Sequence, residues 1–351
     1  MKRESWHIVV AGAGGNTGSH LLPHLARMRE VTRLTLVDPD VYTAENHVAQ
    51  NIGYEDIGQP KVAAQAATLA QIRPDLAVSA IRERIEDVPR GQLRCDLFVS
   101  CLDSKAARQR VNEIAWRLGI PWLDCGVLGS QDLVRVSGYA PALDAPCVEC
   151  AWDPGPHGQY AVLEHEYLCG AGAQAFPTQA TSALGGLASS LLAFEIARIM
   201  RCDRGESIAG RQLVLDARHH TAQVTAERRN PRCRFDHRTW EIEPWVCAPR
   251  TTTLGAALDS LGSLALEGHC FAGELICPSC GTRELLLALN RPRASCVACH
   301  RQLAQLDFRV LDRLQPPLST EWTRRTLAEI GFCAGDIVNN GRAHYELVEA
   351  A

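Results

Sequence analysis

Residues 8–18 read IVVAGAGGNTG, and the chain continues SHLLPHLARM. An apolar run enters a glycine-rich turn and leaves it with helical periodicity. This is the opening of a parallel βαβ unit, and it commits the chain to an α/β fold. Twenty residues beyond Gly18, a second apolar run, LTLV, ends at Asp38. Gly12, Gly14, Gly15 and Gly18 let backbone N–H groups approach a phosphate, and the helix N-terminus adds partial positive charge. An acid at the end of the next strand suits ribose hydroxyls. The turn is one residue longer than G-x-G-x-x-G. On these residues alone, an ordinary strand–helix turn and a nicotinamide-dependent dehydrogenase both stay open.

The alternation continues to about residue 140. RLTLVD, LAVSAI, CDLFVSC and PWLDCGV read as strands, and PKVAAQAATLAQIR and KAARQRVNEIAWRLG as helices. The pattern predicts a doubly wound, mostly parallel Rossmann-like sheet. DLVRVSGYAP alternates apolar and polar residues, as an antiparallel extension does. Residues 141–176 carry Pro, Gly, His and Cys without a period and read as a long crossing loop. TSALGGLASSLLAFEIARIM is an apolar helix with small residues, and RQLVLDA with AQVTAER reads as a closing hairpin. Composition changes near residue 240. The expected division is a nucleotide-binding domain over 1–240 and a smaller C-terminal module over 241–351, with QPPLS at 315–319 as a linker inside it.

Further residues fall where a nucleotide would lie. DPD at 38–40 adds Asp40. Asn46 follows, then GQPK, which puts Lys61 in the first turn of a helix. A lysine there can neutralise phosphate charge as pyrophosphate leaves; alone it reads as a solvated helix lysine. Asp103, in CLDS, follows the fourth strand's carboxyl end and suits Mg²⁺ facing a triphosphate. Its ordinary alternative is a helix N-cap.

In order, GAGG…G, LVDPD, Asn46, Gln50, GQPK, CLDSKAAR and a later Cys-x2-Cys resemble the ThiF/MoeB family, the adenylating fold shared with ubiquitin-activating enzymes. The resemblance covers roughly residues 7–237. It implies that Asp38 binds ribose, that Asn46, Lys61 and Arg108 lie near the phosphates, and that Asp103 holds Mg²⁺. Two departures stand out. Ala49 occupies the place of the family's arginine in N-x-x-R-Q, and almost nothing precedes the first strand, leaving Arg3 as a thin substitute.

There are fifteen cysteines, and no export signal is evident in MKRESWHIVVAG. Metal ligation therefore fits them better than disulfides. Cys147 and Cys150 form one pair. The family resemblance places their partners after the closing strands, where NPRCRFDH offers Cys233 and His237; a surface histidine is the alternative for His237. Cys277, Cys280, Cys296 and Cys299 form a second set, CPSC and CVAC separated by fifteen residues, which is zinc-ribbon spacing. Two structural Zn²⁺ sites are expected. Cys169 lies on the crossing loop ahead of a proline, as the acyl-accepting cysteine does in ubiquitin-activating relatives. It could attack an acyl-adenylate, with His165 nearby in sequence; an ordinary loop cysteine is the alternative. Cys95, Cys101 and Cys125 read as small core residues.

Net charge is −4, which offers no basic field for nucleic acid. No apolar stretch reaches the length of a membrane span, and the expected location is cytoplasmic. The expected function is ATP-dependent adenylation of the C-terminal glycine of a small ubiquitin-like or sulfur-carrier protein, with Cys169 a candidate thioester site. The enzyme would be a homodimer, with a downstream conjugating protein as a further partner and no nucleic acid or membrane. Adenylation of a small molecule, peptide or tRNA base, and a non-catalytic scaffold lacking the usual arginine, are the alternatives.

Overall fold

The computed structural model describes residues 4–152, 180–201, 207–289, 295–303 and 307–349. Contacts divide the chain into two units. One comprises residues 1–88 and 93–239, the other residues 89–92 and 240–351.

The first unit is built on an eight-stranded sheet. Its strands are β1 (Trp6–Ala11), β2 (Val31–Val37), β3 (Ala77–Ile81), β4 (Leu97–Ser100), β5 (Trp122–Leu128), β6 (Leu133–Tyr139), β7 (Arg211–Asp216) and β8 (Thr221–Ala226), in the order β3-β2-β1-β4-β5-β6-β7-β8. Pairing is parallel from β3 to β5 and antiparallel from β5 to β8. The expected mostly parallel sheet, its antiparallel extension and its closing hairpin are all present.

β1 is central, and its side chains alternate between two cores. Ile8 and Val10 pack with Leu21, Leu22 and Leu25 of α1 (Asn16–Arg27), Val62 and Leu69 of α2 (Lys61–Ile72), and Leu184, Leu192 and Ile196 of α4 (Ser182–Met200). Val9 and Ala11 pack with Phe98, Trp122, and Val111 and Ile114 of α3 (Lys105–Leu118). Strand order reverses between β1 and β4, so a crevice opens at their carboxyl ends.

Pro23 lies inside α1. It cannot donate to the Ser19 carbonyl, and Asn51 Nδ2 reaches that oxygen at 3.5 Å instead. α4 is long and apolar enough to cross a bilayer by length and composition, contrary to the expectation that no such stretch exists. Here it lies against α1 and lines the first core.

The second unit holds a four-stranded sheet ordered β10-β14-β15-β9, from β9 (Ile242–Val246), β10 (Ala265–Leu266), β14 (Ile337–Asn339) and β15 (His344–Val348). β15 pairs with β9 in parallel. A three-stranded antiparallel sheet, β12-β11-β13, is formed by β11 (Phe271–Ile276), β12 (Arg283–Leu289) and β13 (Phe308–Leu311). α5 (Leu254–Leu261), α6 (Thr320–Arg324) and α7 (Leu327–Ile330) complete the unit. Within it, Gly91 N–H donates to Gly335 O at 2.8 Å, which ties residues 89–92 to this unit although they lie between β3 and β4 in sequence.

Candidate active site and metal clusters

The glycine turn is closed by its neighbours. Gly12 has φ +74°, and a Cβ there would lie 2.5 Å from Cys101 O. A Cβ on Gly14 would lie 2.4 Å from Lys61 Cβ. Side chains at these positions are excluded, so the β1–α1 backbone lies directly against the end of β4 on one side and Lys61 on the other. Gly15 is the N-cap of α1. No side chain caps the helix and no acid occupies its first turn, which leaves that end suited to an anion.

Asp38, at the end of β2, is 4 % exposed. Its Oδ2 accepts from Gly14 N–H at 2.9 Å and its Oδ1 from Asp40 N–H at 3.1 Å. Burial pushes its carboxyl upward; the Lys61 charge and these N–H donors pull it back. Lys61 is buried at the start of α2, with Nζ 3.1 Å from Asp40 Oδ2 and 5.6 Å from the centre of the Tyr42 ring. Tyr42 Oη donates to Gly14 O at 3.1 Å and accepts from Gln65 Nε2 at 2.9 Å. Glycine turn, Asp38, Asp40 and Lys61 therefore form one hydrogen-bonded group.

Asp103 follows β4 two residues after Cys101, is exposed, and is not the cap of α3. Ser104 is that cap, its Oγ accepting from Ala107 N–H at 3.0 Å. The ordinary reading of Asp103 thus falls to its neighbour, and the carboxylate stands outside the cap. Asn46 accepts from Thr43 N–H at 2.9 Å within a short 3₁₀ turn, Ala44–Val48, so its acceptor is used locally. Asn16 Oδ1 and Gln50 Oε1 are buried without a hydrogen-bond partner among the described residues. Asn16 Oδ1 faces α4, 2.5 Å from where a Cβ on Gly185 would lie.

Arg108, expected near the phosphates, is held by an acid and a backbone carbonyl. Its Nε is 3.2 Å from Asp124 Oδ1, and Nη2 donates to Leu102 O at 2.6 Å. Asp124, on β5, is fully buried, accepts from Ser100 Oγ at 3.0 Å and pairs with Arg135 of β6. The sequence analysis passed over Asp124 and Arg135. The signal available was an acid inside the otherwise apolar PWLDCGV. Cys125 is buried in β5; Cys95 and Cys101 flank β4 instead of lying in it, and burial raises all three thiols. Arg3, His165 and Cys169 lie outside the described residues.

Both cysteine sets assemble. Cys147, Cys150, Cys233 and His237 bring one ligand atom each to within 4.8 Å of one another, and so do Cys277, Cys280, Cys296 and Cys299. In the first set, Cys147 Sγ lies 3.9 Å from Cys150 Sγ and 3.8 Å from Cys233 Sγ, with His237 Nε2 3.5 Å from Cys150 Sγ. Thiolates about 2.3 Å from a tetrahedral Zn²⁺ sit roughly 3.8 Å apart, so the spacing fits that ion. His237 Nδ1 is 3.1 Å from Ala145 O, which turns Nε2 toward the sulfurs, and the ring packs on Trp116 at 4.6 Å. Hydrogen bonding with Cys147 and Cys233 holds Cys150 toward thiolate, and hydrogen bonding with Cys150 and Cys233 holds Cys147 toward thiol.

The second set is two matched knuckles. Gly281 N–H donates to Cys277 O and His300 N–H to Cys296 O, both at 2.9 Å, with Gly281 at φ +70° and His300 at φ +58°. Cys277 N–H and Cys296 N–H close the turns onto Thr282 O and Arg301 O, again at 2.9 Å. Sulfurs meet across the pair, Cys277 to Cys299 at 3.6 Å and Cys280 to Cys296 at 3.8 Å. The Thr282 hydroxyl pulls the Cys280 thiol down to about 6.

Known proteins resemble this chain. The chain is 28 % identical over 234 residues to the SAMP-activating enzyme E1 of Haloferax volcanii, covering 65 % of this chain and 79 % of that protein. It is 26 % identical over 147 residues to the sulfur carrier protein ThiS adenylyltransferase of Escherichia coli, covering 41 % of this chain and 57 % of that protein. Among solved structures, E. coli MccB with ATP superposes with a TM-score of 0.53 at 19 % identity, over 67 % of each chain, a likeness of fold. The ThiF family model matches residues 2–235, and the chain belongs to the ThiF family.

Proposed function

We propose that this protein is an ATP-dependent adenylyltransferase that activates the C-terminal glycine carboxylate of a small ubiquitin-like or sulfur-carrier protein. The observation that carries the reading is the closure of Lys61, Asp38 and Asp40 onto Gly14 at the start of α1. One buried cation and a free helix start then share the place where a triphosphate's charge would fall. The names of the relatives, an E1 and a sulfur-carrier adenylyltransferase, support the same class.

Asp38 would hold the ribose, with the Gly12–Gly18 backbone and Lys61 at the phosphates. Asp103 would hold Mg²⁺, which supplies charge neutralisation on the polyphosphate. Asp103 is exposed at the strand ends and unneeded by the helix cap, as a metal-facing carboxylate requires. A carboxylate oxygen of the carrier attacks the α-phosphorus. The bond from that phosphorus to the β-phosphate oxygen breaks, and pyrophosphate leaves. The chain's residues contribute orientation and charge neutralisation. Cys169 then takes the acyl group as a thioester, releasing AMP. Zn²⁺ held by either cluster would be structural, since four protein ligands leave no open coordination position. The C-terminal unit recruits the carrier or a downstream conjugating protein, and the adenylating unit works as a homodimer.

The test is ATP–pyrophosphate exchange with small proteins ending in Gly-Gly. Exchange that depends on the carrier, and falls about a hundredfold or more in Lys61→Ala, is the expected outcome. Cys169→Ala should retain exchange and lose the thioester. Absence of exchange with every such carrier, in a protein that binds ATP, contradicts the carrier assignment; absence of ATP binding favours a scaffold.

A further inference from the structure

Ala49 stands where the family resemblance expects an arginine, and its carbonyl accepts from Asn16 Nδ2 at 2.7 Å. The strand ends gather cations elsewhere. Asp124 is wholly buried between two guanidiniums, Arg108 from α3 and Arg135 from β6. Both lie over Gly126. A Cβ on that glycine would be 3.0 Å from Arg108 Nη2 and 3.5 Å from Arg135 Nη2. Asp124 neutralises one of the two charges, and the group keeps a formal positive charge while Glu227, a further carboxylate in the field of Arg135 whose carboxyl burial raises to about 7, holds its proton. Glu227 accepts from Tyr139 Oη and Gln212 Nε2, both at 3.4 Å.

The group belongs to the same rim as the glycine turn. Arg108 donates to Leu102 O, and the preceding residue, Cys101, sets its carbonyl against Gly12. Asp124 grips part of the Arg135 fork, and the side chain remains 28 % exposed. A guanidinium anchored at one edge by a buried acid is pre-set to receive an oxyanion at the other.

We propose that Arg135, positioned by Asp124 beside Arg108, forms an oxyanion subsite for a phosphate of the bound nucleotide, supplying the cation that Ala49 does not. The inference rests on the adenylation reading above. Asp124 is a positioning residue and Arg135 a binding residue.

The experiment is calorimetric titration of the full chain with Mg·ATP, AMP and adenosine, for wild type, Arg135→Ala, Arg135→Lys and Asp124→Asn. Bound-metal content and melting temperature report folding of each variant. Arg135→Ala is expected to weaken Mg·ATP by about tenfold or more and leave adenosine unchanged, since a charged hydrogen bond is removed and the nucleoside is untouched. Arg135→Lys should recover part of the loss, and Asp124→Asn should show a smaller loss of the same kind. A parallel loss for AMP assigns the α-phosphate; unchanged AMP assigns a terminal phosphate. Wild-type ATP affinity in Arg135→Ala overturns the subsite, and so does an equal loss for ATP and adenosine. A wild type that binds no ATP fails earlier, and that result strikes the adenylation reading itself. Should Asp124→Asn not fold, the two Arg135 variants decide the matter.

Discussion

Gly14 has no space for a side chain, because the Lys61 stem fills it. Gly14→Ala is therefore expected to displace Lys61 and weaken Mg·ATP about tenfold or more while both metal clusters stay loaded, checked by calorimetry and metal analysis. Asp336, in the second unit, titrates in a measurable range. Burial pushes its carboxyl up to about 6, against donation from Cys333 N–H at 2.8 Å. A raised carboxyl favours the protonated native form, so its contribution is complete below about pH 4 and is lost as pH rises through about 6. The stability of Asp336→Asn relative to wild type should accordingly rise across that window, by on the order of 2 kcal/mol, in denaturant melts taken at several pH values. At this scale the sequence was informative where backbone geometry fixes side chains. Asp38 and Lys61 follow from a strand end and a helix start. The pairing of Arg108 did not, because its partner Asp124 lies on β5, sixteen residues on, and only the packing of α3 against the sheet brings them together.

The start of α3 separates two duties that adjacent residues could each have performed. Ser104 caps the helix and Asp103 does not. Ser104→Ala should cost about 1 kcal/mol of stability. Asp103→Ala should leave the melting midpoint near wild type and remove the Mg²⁺ dependence of ATP binding; a large stability loss would return Asp103 to a structural duty. Strands β1, β2, β4 and β5 were legible because each is a mostly buried apolar run bounded by turn residues, and the knuckles because two cysteines at that spacing close one kind of turn. The sheet of the second unit was not. β10 has two residues and β14 three, too few for any alternation to register in sequence.

At the level of the whole molecule, each unit carries its own cysteine cluster. Metal analysis of the full chain should give two zinc ions, with Cys233→Ser and Cys277→Ser each losing one. Chelation should melt the three-stranded sheet of the second unit, where the small core around Leu275, Phe308, Cys277 and Cys296 includes ligands. Composition marked a change near residue 240, but it could not show residues 89–92 joining the second unit. That attachment is a backbone hydrogen bond from Gly91 to Gly335, invisible to any local pattern. The three groups on which the functional reading depends come from β2, α2 and the segment after β4, and a bound nucleotide would reveal whether they act together. A crystal structure of the full chain with Mg²⁺ and a non-hydrolysable ATP analogue is the most direct measurement. The expected density places the triphosphate along Gly12–Gly18, with Lys61 Nζ on phosphate oxygens, Asp38 at the ribose and Asp103 on the metal. A nucleotide bound elsewhere, or bound here with Lys61 still paired to Asp40 and Asp103 turned to solvent, would contradict it.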